Sequence, residues 1–185
     1  MTRIVAGAYG GRRLSTPPGR DTRPTSDRVR EALFGALGDL TGVRFADLYA
    51  GSGAVGLEAA SRGAAHVLLV EGDPAAGRVI RDNIALLKAG GVAKLAPSRV
   101  ESVLPGGPGS GGPYDLVLAD PPYPLGEPEL AAVLHSLVEY AWLAPDARVV
   151  LERSTRSPEP TWVKGITGDR SRRYGETTLW YGRAS

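Results

Sequence analysis

From residue 43 to residue 152 the chain alternates short, β-rich apolar runs with longer segments of helical spacing, and few folds accept that pattern. Strands buried on both faces and joined by helical crossovers make a parallel α/β sheet. The expected strands are 43–49, 66–71, 93–100, 114–119 and 148–152. The expected helices are 27–40, 55–62, 75–89 and 129–142. In the last of these, Leu130, Val133, Leu134, Leu137, Val138 and Ala141 recur at helical spacing. The tail reads as two antiparallel strands, 162–167 and 177–181, around a basic turn at 168–175. The glycine- and proline-rich run 105–113 reads as a flexible surface loop.

Composition narrows the function classes. With 42% hydrophobic and 23% charged residues in 185, the chain has the make-up of one globular domain. No apolar run approaches a membrane span and the start lacks a signal-peptide core, so a soluble cytoplasmic protein is expected. The absence of cysteine excludes disulfides, thiolate metal sites and cysteine nucleophiles. Only His66 and His135 are available as imidazole ligands, so no metal site is expected. Both histidines sit in apolar segments and read as structural, and Trp142, Trp162 and Trp180 read as packing residues.

Charge is unevenly spread. Residues 1–30 carry net +5, residues 31–152 net −7 and residues 153–185 net +4. An acidic body with basic ends suits a partner rich in phosphate. Residues 1–24 have no helical period and read as a basic arm or small hairpin placed to meet such a partner, ahead of a domain over 25–185.

Parallel α/β sheets bind ligands at the carboxyl ends of their strands. The first such end reads Asp47-Leu-Tyr49-Ala-Gly51-Ser52-Gly53-Ala-Val-Gly56, a glycine loop opening a helix. Twenty residues beyond Gly51, Glu71 closes the second strand, where a carboxylate can hold the ribose hydroxyls of an adenosine. The loop alone fits NAD or S-adenosylmethionine. Asp47 favours the latter, because a carboxylate there suits a cationic ligand such as the methionine ammonium. Its competing role is to brace the glycine loop through backbone hydrogen bonds.

The fourth strand ends in Asp120-Pro121-Pro122-Tyr123. Two prolines fix an extended backbone. The Asp120 carboxylate and the Pro121 carbonyl can then accept from the two N–H groups of an exocyclic amine. Tyr123 offers a π-face to a base taken out of its helix. This arrangement suits methyl transfer to nitrogen by positioning rather than by a covalent intermediate.

The runs DLYAGSGAVGLEA, VEGD and DLVLADPPY resemble class I S-adenosylmethionine-dependent methyltransferases acting on amino groups. The segments Arg3–Gly7, Gly11-Arg12, Arg23–Phe34 and Arg173–Thr177 further resemble the bacterial RsmD family, guanine-N2 methyltransferases of 16S ribosomal RNA. The resemblance spans residues 3–182. It implies a Rossmann-like, mostly parallel seven-stranded sheet with a C-terminal antiparallel hairpin and a short basic N-terminal extension. It implies S-adenosylmethionine as cofactor, held by Asp47, Tyr49, Gly51, Ser52, Gly53, Glu71, Gly72 and Asp73, with a backbone N–H from Val100 to the adenine. Arg99 and Glu101 have open roles. Asp120, Pro121, Pro122 and Tyr123 would hold the guanine, and Arg12, Arg13, Arg23, Thr25, Arg28 and Arg173 the RNA. The implied partner is 16S rRNA within a 30S subunit or an assembly intermediate, approached by a monomer. The alternatives are a DNA adenine- or cytosine-N methyltransferase, a protein glutamine-N methyltransferase, and a non-catalytic RNA-binding assembly factor.

Overall fold

A computed structural model of the chain describes residues 2–18, 26–122 and 124–185. Arg23, Thr25 and Tyr123 lie outside the described residues. The chain begins with a two-stranded antiparallel sheet, β1 (Thr2–Arg3) and β2 (Arg13–Leu14). There follow α1 (Asp27–Leu37), β3 (Arg44–Leu48), α2 (Ala54–Ser61), β4 (His66–Val70), α3 (Pro74–Leu87), β5 (Ala93–Ala96) and the short α4 (Val100–Val103). After two 3-10 turns come β6 (Tyr114–Ala119), α5 (Glu127–Glu139), β7 (Leu143–Ser154), β8 (Ile166–Tyr174) and β9 (Thr177–Ala184).

The large sheet has seven strands in the order β5-β4-β3-β6-β7-β9-β8. Strands β5 to β7 are parallel, and β9 and β8 add an antiparallel hairpin at one edge. The chain moves outward from β3 through β4 to β5, then returns to the other side of β3 with β6. The crevice beyond the carboxyl ends of β3 and β6 is therefore the topological switch point, where such sheets bind ligands.

Local chemistry sets the element ends. Ser26 caps α1, its Oγ accepting from the Val29 N–H at 3.2 Å, and Gly38 ends the helix with φ 76°. Asp73 caps α3 by accepting from Ala76 N–H at 3.1 Å, with Pro74 in the first turn. On α1, Val29, Leu33, Phe34 and Leu37 form the stripe that packs on one face of the sheet. On the other face α5 contributes Leu130, Val133, Leu134 and Leu137 beside Trp142, whose Nε1–H donates to Leu104 O at 2.9 Å.

Several sequence boundaries shift. The expected strand 93–100 stops at Ala96, because Val100 already begins α4. The basic stretch 168–175 is mostly strand rather than turn, and the strand expected at 162–167 starts only at Ile166. Its charged residues are exposed on a sheet edge, where no apolar alternation is required. The run 105–113 is folded into 3-10 turns, with Gly111 pressed against His66 and Tyr114. His66 is half-buried, 6.0 Å from the Tyr114 ring centre. His135 is not a core residue: its side chain is 66% exposed and lies 3.5 Å from the Glu139 carboxylate. Arg30, in contrast, is fully buried between Asp27 and Glu58 and is not available to a phosphate.

Candidate active site

Strand β3 delivers Asp47, only 2% exposed, to the floor of the switch-point crevice. Its Oδ2 accepts from the Gly56 N–H at 2.9 Å, so the bracing role is real. Gly56 must be glycine here: a Cβ would collide with Leu69 and sit 3.1 Å from Asp47 Oδ2. Burial raises the Asp47 carboxyl to about 7, against the Gly56 hydrogen bond and with help from the charges of Glu71 and Glu152.

The chain then turns through Tyr49, Gly51 and Gly53, all with positive φ, into α2. Open space lies where a Gly51 side chain would project. The Tyr49 hydroxyl is raised to about 12, first by burial and then by Glu101. Glu71, just past β4, accepts from Gly51 N–H at 2.7 Å through Oε1 and from Asp73 N–H at 2.9 Å through Oε2. One carboxylate thus fixes the glycine loop against the start of α3.

Strand β6 delivers Asp120. Its neighbour β7 is in register with Ala119 opposite Leu151, so Asp120 and Glu152 emerge side by side. The two carboxyls are hydrogen-bonded to each other. Burial first, then the charge of Glu152 and that hydrogen bond, push the Asp120 carboxyl well above the usual carboxylate range. Beyond Asp120, Pro121 is buried, and the Pro122 carbonyl accepts from Leu125 N–H at 2.9 Å. The far end of this loop is tied to β7: Arg153 Nη2 donates to Leu125 O at 3.2 Å and to Glu127 Oε2 at 2.5 Å.

Both halves face one cavity of about 1410 Å³, walled by Asp47, Tyr49, Gly51, Ser52, Glu71, Asp120, Pro121 and Pro122. Gly53, Gly72, Asp73 and Val100 are not among its walls. Gly53 precedes α2, Gly72 backs onto Arg99, Asp73 caps α3, and Val100 is buried at the start of α4. Arg12, Arg13, Arg28 and Arg173 are exposed and stand outside the walls, and Arg12 Nη2 donates to Leu86 O at 3.0 Å.

The cavity also includes residues that the sequence reading missed: Glu152, Arg153 and Thr177 from the C-terminal strands, Glu176 from the β8–β9 turn, and Thr2, Thr16 and Pro17 from the N-terminal segment. Glu152 carried a usable signal, since it closes the apolar run Val149–Leu151 as Glu71 closes Val67–Val70. Among the described residues no three His, Cys, Asp or Glu side chains are grouped to hold a metal ion.

An open glycine turn beside two acidic walls fits a ligand with a cationic centre and sugar hydroxyls. The paired carboxyls opposite fit a ligand edge that presents hydrogen-bond donors.

The family described as Conserved hypothetical protein 95 matches residues 2–183. Ribosomal RNA small subunit methyltransferase D of Escherichia coli (strain K12) is 39% identical over 160 residues, covering 86% of this chain and 78% of that protein. The putative rRNA methyltransferase YlbH of Bacillus subtilis (strain 168) is 33% identical over 176 residues, 95% of each chain. The solved structure of the putative methyltransferase yhhF from Escherichia coli superposes with a TM-score of 0.86 at 34% identity, covering 100% of this chain and 98% of that one. With the seven-stranded class I methyltransferase sheet and its switch-point cavity, these matches place the chain in the Conserved hypothetical protein 95 family, the RsmD family of methyltransferases.

Proposed function

We propose that the protein transfers a methyl group from S-adenosylmethionine to the exocyclic N2 amine of one guanine in 16S rRNA, with the small subunit or an assembly intermediate as substrate. The observation that carries this reading is the juxtaposition, across one cavity, of the Asp47–Glu71 wall with the Asp120–Glu152 pair. The similarity to rRNA methyltransferases in two bacteria supports the substrate class.

When bound, S-adenosylmethionine supplies an electrophilic methyl on a positively charged sulfur. Asp47 and Glu71 give its side of the cavity negative potential and acceptors for the ammonium and ribose hydroxyls. The guanine N2 lone pair is delocalised into the ring and is a weak nucleophile, so orientation matters most. Guanine presents N1–H and N2–H side by side, and two adjacent carboxyls sharing a proton keep acceptor oxygens for both. Adenine, with an acceptor at N1, does not match that edge. As the N–C bond forms and the C–S bond breaks, N2 releases one proton, and the carboxyl pair is placed to take it. Pro121 and Pro122 hold Asp120 without local flexibility, and Arg153 holds the other end of the loop.

The test is Asp120→Asn. The expected outcome is loss of at least a hundredfold in methyl transfer to small-subunit rRNA, with cofactor affinity unchanged. Retained turnover would remove Asp120 from the chemistry.

A further inference from the structure

Outside the cavity, the C-terminal hairpin carries a group of exposed arginines. Residues Thr167 to Arg173 of the edge strand β8 are all exposed. Register places Arg170 opposite Tyr181, Arg172 opposite Leu179, and Arg183 opposite both Thr167 and Arg148. Cross-strand partners share a face and alternate residues return to it. Arg170, Arg172, Arg183 and Arg148 therefore stand on one face of the sheet, the face that also carries Leu179 and Tyr181 toward α1.

Arg148 has a structural use: it is half-buried and its Nη1 donates to the last-turn carbonyl of α1, Leu37 O, at 2.9 Å. The Arg170 guanidinium lies over the Tyr181 ring at 5.0 Å. Among the described residues, Arg170, Arg172 and Arg183 make no ion pair with a carboxylate. Arg183 and Arg170 are close enough to Arg148 to add to burial in lowering its proton affinity. Like charges gathered on one face repel one another in the free protein, and a polyanion relieves that repulsion.

The direction of the row matters as much as its sign. The hairpin turn brings Glu176 and Thr177 to the cavity wall, and β8 runs away from there through Arg172 and then Arg170. Residues two apart on a strand are separated by about 6.5 Å, a step that successive phosphates of a flexible single strand can match. Guanidinium groups bind phosphate through paired N–H donors.

We propose that Arg170, Arg172 and Arg183 form a phosphate-binding track that receives the RNA backbone as it leaves the active-site cavity. This rests on the RNA reading above and adds a surface to it, distinct from Arg173, which alternation places on the opposite face.

The experiment measures affinity of the full chain for protein-free 16S rRNA over a range of salt concentrations, for the wild type and for R170Q/R172Q/R183Q. Cofactor affinity and methyl incorporation are measured alongside. Loss of three single-strand phosphate contacts should reduce the slope of log K against log salt by about 2 and leave cofactor affinity unchanged. Arg172→Gln alone should reduce the slope by about 0.7 and covers the case in which the triple variant does not fold. An unchanged slope in folded variants, with wild-type methylation of rRNA intact, overturns the track and leaves the RNA reading standing. Unchanged RNA binding with new self-association of the variants also overturns it, because the arginines would then only guard the sheet edge. Binding of the wild type to an acidic protein through these arginines, with no affinity for RNA, overturns both.

Discussion

Asp47 serves the backbone and the cavity at once, and its titration reports which is in use. In the free protein its carboxyl is raised from 3.8 to about 7, chiefly by burial. A raised carboxyl contributes stability that is complete below its unfolded value and is lost as pH rises through the folded one. The free protein should therefore lose stability between about pH 4 and pH 7, and Asp47→Asn should flatten part of that slope in thermal melts. A cationic ligand draws Asp47 to its ionised form, so cofactor binding near pH 6 should release a proton. Calorimetry in buffers of different ionisation enthalpy reads that release directly. Proton release that persists undiminished in Asp47→Asn would assign it to another group. Asp47, Glu71 and Asp120 were legible in the sequence because each stands at a fixed offset from an apolar run. Glu152 went unread although it closes such a run too, since only the β6–β7 register shows that it lies beside Asp120.

Among the elements, the N-terminal hairpin depends most on a single buried group. Glu58 of α2, with no exposure, accepts from Val5 N–H at 2.8 Å, Ala6 N–H at 3.1 Å and Arg62 Nε at 2.8 Å. Arg30 Nε lies 3.9 Å away, and the same guanidinium donates to the Arg3 carbonyl. Ser61 adds a second anchor, accepting from Tyr9 N–H at 2.9 Å and donating to Ala6 O at 2.6 Å. Removing Glu58 leaves the Val5 and Ala6 N–H groups without their acceptor and Asp27 as the counter-charge of Arg30, which costs about 1–3 kcal/mol. Glu58→Ala should lower the stability by that order in denaturant titration and expose residues 2–18 to protease before the remainder unfolds. Protease resistance equal to wild type would show that the apolar contacts of Ile4 and Leu14 suffice. This network was not visible beforehand, because its ties from the hairpin to α2 span more than fifty positions. The hairpin was expected only from the lack of helical period. Strand β8 was misplaced for the opposite reason: exposed along most of its length, it bears no burial pattern to read.

At the scale of the molecule, one topological fact organises the rest. The order β5-β4-β3-β6-β7 puts the carboxyl ends of β3 and β6 together at the switch point, so the glycine loop and the Asp-Pro-Pro run share a cavity although they lie far apart in the chain. The alternation of apolar runs and helices contained that architecture, and the parallel order follows from short right-handed crossovers. The cavity's outer walls were hidden, because they are built by docking the first residues and the C-terminal strands onto the parallel core. Charge follows the same division: the acidic middle of the chain supplies Asp47, Glu71, Asp120 and Glu152 to the pocket, and the net-basic first and last segments add outer walls. Under the proposed function, a cationic methyl donor and an anionic RNA would be drawn to different parts of one surface.

The transferred methyl group identifies the substrate most directly. Small subunits and total rRNA from cells lacking this protein, incubated with it and methyl-labelled S-adenosylmethionine, should yield label in N2-methylguanosine after digestion to nucleosides. Label in a methylated adenine or cytosine would contradict the guanine assignment, and no label in either RNA substrate, with cofactor bound, would contradict rRNA methylation itself.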